Sequence, residues 1–185
     1  MKTVIIELVD YLKNPTLEKD QNKEISYRLK KFVQILGISF ATTFALGFIL
    51  TLIEGTGWLE TGKHSIEDTL KNSNTLTLFV LAAIIAPAIE ELLFRAPLTL
   101  FKKAKTFKIA FYLITFLFGY IHLINYDITL NILLFSPILI APQLFIGWYL
   151  GFIRVRFGLI WSIALHAAYN GILVSLFILG KNAIS

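Results

Sequence analysis

Apolar residues in this chain run in blocks too long for the core of a soluble domain. Residues 32–53 contain no charged side chain. A helix needs about 20 such residues to cross about 30 Å of hydrocarbon. Further blocks of similar length lie at 76–101, about 108–124, about 130–150 and about 157–179. The pattern predicts an all-α fold, a polytopic membrane helix bundle with about five transmembrane spans. Before the first span, Ile5, Leu8 and Leu12 fall at helical spacing, with Glu7, Asp10 and Lys13 elsewhere. This predicts a short N-terminal amphipathic helix, ended by Asn14-Pro15, that lies on the cytoplasmic leaflet or packs on the spans. Glu7 and Asp10 interrupt the stretch and argue against a signal peptide. Residues 16–31 read as a polar linker. Residues 1–31 are then a cytoplasmic helix and linker, and residues 32–185 a membrane-embedded core.

Composition supports this reading. Of 185 residues, 56% are hydrophobic, 14% aromatic and 16% charged, against about 45–50% apolar and 25% charged in soluble domains. Disorder is excluded. The absence of cysteine excludes a disulfide scaffold, a thiolate metal site and a cysteine nucleophile. The net charge of +5 comes from basic residues beside the apolar blocks, which points to orientation in a lipid bilayer and not to nucleic acid. Lys2, Lys13, Lys19, Lys23, Arg28, Lys30, Lys31, Lys102, Lys103, Lys105, Lys108, Arg154 and Arg156 all fall on one side of the alternating loops. Lys63, Lys71 and Lys181 fall on the other. The N-terminus is therefore expected in the cytoplasm and the C-terminus outside, as in an integral protein of the bacterial cytoplasmic membrane.

Polar groups inside the spans carry the chemistry. A charge at mid-bilayer costs at least about 2.5–3.5 kcal/mol on insertion scales, so it marks function by default. The second span holds Glu90, Glu91 and Arg95. At about 100° per residue, Glu91 and Arg95 lie about 40° apart and can neutralise each other. Glu90 points elsewhere and has no partner on its own helix. His122 shares a face with Phe118 on the third span, and His166 shares one with Asn170 on the fifth. At about 1.5 Å per residue from the cytoplasmic end, Glu90, His122, His166 and Asn170 lie about 14–21 Å deep and can meet. His64, beside Glu67 and Asp68, reads as solvated surface. Gly147 and Gly151 form a GxxxG pattern, either a dimer face or close packing within the chain. Pro137 and Pro142 suggest a kinked fourth span.

A buried glutamate with two histidines and an asparagine suits hydrolysis by an activated water, with one histidine holding the water and the other, with the amide, stabilising an oxyanion. The same Glu90, His122 and His166 also match a His₂Glu zinc set. No serine in a span forms a motif with either histidine, so a serine triad is poorly supported.

Three segments resemble one family. Glu90-Glu-Leu-Leu-Phe-Arg95 resembles its EExxxR motif, Phe118-Gly-Tyr-Ile-His122 its FxxxH motif, and His166-Ala-Ala-Tyr-Asn170 its HxxxN motif. The family is that of the CAAX-prenyl-protease and bacteriocin-processing (CPBP, or Abi) intramembrane endopeptidases, and the resemblance covers about residues 76–179. It implies cleavage of a membrane-associated protein or peptide, prenylated or not. Glu90 would activate water, His122 would position it, His166 and Asn170 would complete the site, and Glu91, Arg95 and Phe118 would support it. Members have been described both as metalloproteases and as metal-free, so a divalent metal such as zinc stays open. Two alternatives remain: a non-catalytic binding or bacteriocin-immunity protein of the same fold, and a proton-coupled transporter.

Overall fold

The computed structural model describes residues 2–61 and 74–184, and among them there is no strand. The elements are α1 (Lys2–Lys13), α2 (Ile25–Gly55), α3 (Thr75–Leu100), α4 (Ala104–Ile121), α5 (Leu130–Leu139), α6 (Ala141–Phe157) and α7 (Leu159–Ile184). Five stretches are long and apolar enough to span: Ile25–Gly55, Thr75–Leu100, Ala104–Asn125, Leu130–Phe157 and Leu159–Gly180. The protein is an all-α integral membrane protein with a short N-terminal helix. His64 and its acidic neighbours, with Lys63 and Lys71, lie outside the described residues.

Two boundaries differ from expectation, each for a local reason. The first span begins at Ile25, so residues 25–31 are helix and not linker. Asp20 Oδ1 accepts from the Asn22 N–H at 2.9 Å, and Asn22 Oδ1 from the Glu24 N–H at 2.8 Å. These turns deliver the chain directly into the helix. The fourth span is two helices, α5 and α6, breaking at Ile140 and running on to Phe157. Pro142 starts α6, where its missing N–H does no harm. Pro137 stays inside α5. It removes the usual donor to the Leu133 carbonyl, and Ser136 Oγ supplies a replacement at 2.8 Å.

α1 packs on the bundle. Val4, Leu8 and Tyr11 are buried in one core with Phe107, Phe111 and Phe152, while Ile5, Ile6 and Val9 face outward. Lys31 Nζ pairs with Glu7 at 2.7 Å, Tyr112 Oη donates to Leu12 O at 2.6 Å, and Arg156 Nη1 donates to Glu18 O at 3.1 Å. The N-terminal segment thus ties α2, α4 and α6 together at one end. Gly158, at φ 109°, alone joins α6 to α7, a conformation open to glycine.

α4 and α6 approach closely where small residues permit it. A Cβ at position 147 would lie 3.0 Å from Phe118, 3.1 Å from Arg95 Nη2 and 3.2 Å from Thr115. A Cβ at 151 would press on Phe111. The GxxxG face is therefore filled by α4 of the same chain.

Candidate active site

α3 is not a regular α-helix. Wide π turns occupy Leu81–Ile85 and Glu91–Arg95, and a tight 3₁₀ turn closes Ala96–Leu100. In the π register the Ala86 N–H bonds Leu81 O, and the Ala96 N–H bonds Glu91 O. The next donors in that register would be Pro87 and Pro97, which have no N–H. The Ala82 carbonyl so released accepts from Asn170 Nδ2 at 3.1 Å. The Arg95 carbonyl accepts from Arg154 Nε at 3.0 Å, and Arg154 Nη2 reaches Thr99 Oγ1 at 3.2 Å. The irregular backbone that carries the two glutamates is thus held from α6 and α7, as π turns at functional positions often are.

One imidazole spans both glutamates. His166 Nδ1 is 3.1 Å from Glu91 Oε1, and His166 Nε2 is 3.8 Å from Glu90 Oε2. A carboxylate can only accept, so Nδ1 carries a hydrogen toward Glu91, and the opposite ring nitrogen, Nε2, faces Glu90. His122 follows the same logic: its Nδ1 is 2.7 Å from the Phe118 carbonyl, which leaves Nε2 free. Glu90 is the more open acid, with 29% of its side chain exposed. Its Oε2 has no hydrogen-bond partner among the described residues.

Glu91 is completely buried and serves more groups than Arg95 alone. Ser162 Oγ donates to its Oε2, His166 holds Oε1, and Arg95 Nε stands 3.7 Å from the same Oε1. The guanidinium, itself buried, donates to Gly147 O at 3.4 Å and lies 3.8 Å above the centre of the Phe118 ring. Phe118 is thereby a shared platform, with His122 at 5.0 Å and His166 at 5.9 Å between ring centres. The expected Glu91–Arg95 pair exists, but as part of a four-residue cluster.

An apolar cleft of about 610 Å³ opens beside Phe94, lined by Leu117, Tyr120, Ile121, Ile124 and Leu133 among others. Phe94 packs edge-on against Phe118 at 5.5 Å, so the cleft abuts the polar cluster. The structure brings Glu90, Glu91, Arg95, Phe118 and His166 together, joins His122 through Phe118, and ties Asn170 to α3 at the Ala82 carbonyl. Ser162 and Arg154 were not read from the sequence as site residues. Ser162 stands four residues before His166, the same spacing that singled out Asn170.

Among the described residues no three His, Asp or Glu side chains form a group able to hold a metal ion. Glu90 and His166 face each other, while His122 is turned onto Phe118. The zinc set of Glu90, His122 and His166 does not close in this arrangement.

A family model described as type II CAAX prenyl endopeptidase Rce1-like matches residues 72–172. No curated protein and no solved structure matches the chain.

Proposed function

The chain belongs to the Rce1-like family of type II CAAX prenyl endopeptidases, and from that premise we propose that it hydrolyses a peptide bond in a membrane-associated protein or peptide, with Glu90 as the base that activates water. The observation that carries this is Glu90 Oε2, without a hydrogen-bond partner among the described residues and 3.8 Å from His166 Nε2, on a backbone held from α6 and α7. A water between them donates one hydrogen to Glu90 and another to a histidine Nε2. Its oxygen attacks the scissile carbonyl carbon as Glu90 takes the proton. Asn170 spends one Nδ2 hydrogen on Ala82 O, and the second is free to meet the oxyanion. When the carbon–nitrogen bond breaks, Glu90 returns its proton to the departing amine. The apolar cleft beside Phe94 suits the lipid-soluble part of such a substrate.

The test is cleavage by the purified protein in liposomes, with membrane-anchored peptides chosen by comparing membrane peptides with and without the protein. Turnover supports the proposal. Binding without cleavage across the panel would favour the non-catalytic reading.

Zinc content and activity are expected to be independent. A preparation stripped of zinc should cleave at the full rate. Near-stoichiometric zinc, lost together with activity in Glu90→Gln, His122→Ala and His166→Ala, would contradict the metal-free mechanism.

The crowding of basic residues on one side of the alternating loops supports an orientation with Lys103 toward the cytoplasm and Lys63 toward the outside. In this chain without native cysteine, Lys63→Cys should react with an impermeant thiol reagent in intact cells, and Lys103→Cys only after lysis. The reverse pattern would invert the orientation.

A further inference from the structure

Glu91 is wholly buried, and its two oxygens have different partners. Oε1 meets His166 Nδ1 at 3.1 Å and Arg95 Nε at 3.7 Å. Oε2 is met by Ser162 Oγ, whose side chain is also fully buried. The hydroxyl has one hydrogen and two acceptors in reach, Glu91 Oε2 and the Leu150 carbonyl at 3.1 Å. The charged acceptor makes the stronger bond. Ser162 and His166 stand four residues apart on α7, so a single helix face grips Glu91 by both oxygens.

We propose that Ser162 is a positioning residue for His166. Its hydroxyl anchors Glu91 Oε2, which reserves Oε1 for the His166 Nδ1–H. That fixes the ring in the tautomer presenting Nε2 to Glu90. This inference rests on the reading of Glu90 and His166 as the groups that handle water. Without the hydroxyl, Oε2 loses its donor, and the carboxylate is free to turn about its last bond, so that neither oxygen is held in place at the His166 Nδ1–H. The imidazole then loses its fixed orientation, although Glu91, Arg95 and His166 all remain. The same hydroxyl also reaches α6 through Leu150, so a purely structural tether is the competing explanation.

The experiment compares wild type, Ser162→Ala and Ser162→Thr in three readouts: kcat and KM on a membrane-anchored peptide, the thermal unfolding midpoint, and the ¹⁵N resonances of the His166 ring. The expected result for Ser162→Ala is a kcat about 10–100-fold lower, the scale of a small misplacement at reacting atoms. KM should be unchanged, and the His166 signals should move from one tautomer toward an average of two. Ser162→Thr, which keeps the hydroxyl, should restore kcat and tautomer together. Two results would overturn the proposal: wild-type kcat in Ser162→Ala, or a fall in midpoint and kcat with the His166 tautomer unmoved. The ring resonances need no turnover and do not depend on the threonine variant folding. If Glu90→Gln cleaves normally, the assignment of Glu90 as the base fails, while the His166 signals still decide the role of Ser162.

Discussion

Arg95→Ala will lower the folded fraction of the protein far more than any other single change in the cluster. The side chain is 1% exposed and sits between Glu91 Oε1, at 3.7 Å, and the face of Phe118, at 3.8 Å. Removing it leaves the Glu91 carboxylate, 0% exposed, without its ion-pair arginine. Taking one partner from a buried pair costs about 3–5 kcal/mol. A desolvated cation over an aromatic ring contributes about 2 kcal/mol more, and the vacated volume lies against Gly147, which has no side chain to fill it. Glu90→Gln, by contrast, alters a partly exposed side chain without changing its shape. Folded yield and thermal midpoint in detergent should therefore fall sharply for Arg95→Ala and stay near wild type for Glu90→Gln. Adding Glu91→Gln to Arg95→Ala should recover part of the loss, since the orphaned charge is then gone. Equal yields for the two single variants would mean that Arg95 is not the countercharge.

That cluster also shows where a sequence reading reaches its limit. The spans were legible because lipid-facing helices need unbroken apolar runs, and the structure places five such stretches close to those positions. Glu90, Glu91 and Arg95 stood out because charges are expensive in such a run. The relation between the acids was not legible. A regular helix turns Glu91 about 100° from Glu90, but the chain widens into a π turn at Glu91, and one imidazole meets both carboxylates. The signal was present in Pro87 and Pro97, each following an alanine just past a π turn. The prolines that drew attention, Pro137 and Pro142, have milder effects: a serine repairs one and a helix start absorbs the other. Ser162 was invisible because an uncharged hydroxyl in an apolar run carries little penalty. Its link to the cluster is Glu91, reached across the bundle. The start of α2 at Ile25 was missed because two short asparagine and aspartate turns, not hydrophobicity, set it.

The second large effect concerns the chemistry. Glu90→Gln keeps the size of the side chain and its capacity to hydrogen-bond, but the amide cannot take a proton from water. General base catalysis alone contributes about 10²–10⁴-fold, so turnover should fall below detection while folding and substrate binding persist. His122→Ala and His166→Ala should be nearly as severe, because each removes an Nε2 presented by a fixed ring. Asn170→Ala should be milder, on the order of 10²–10³-fold for one oxyanion donor. Adding His122→Ala to Glu90→Gln should change little further, because groups that act on one water are strongly non-additive.

The most direct measurement is a side-by-side cleavage assay of wild type and Glu90→Gln in liposomes, on the same membrane-anchored peptide. Folding is checked by the thermal midpoint and substrate capture by co-purification. The expected result is a folded Glu90→Gln protein that binds the peptide and does not cut it. A folded Glu90→Gln protein that cuts at the wild-type rate would contradict the assignment of Glu90 as the base.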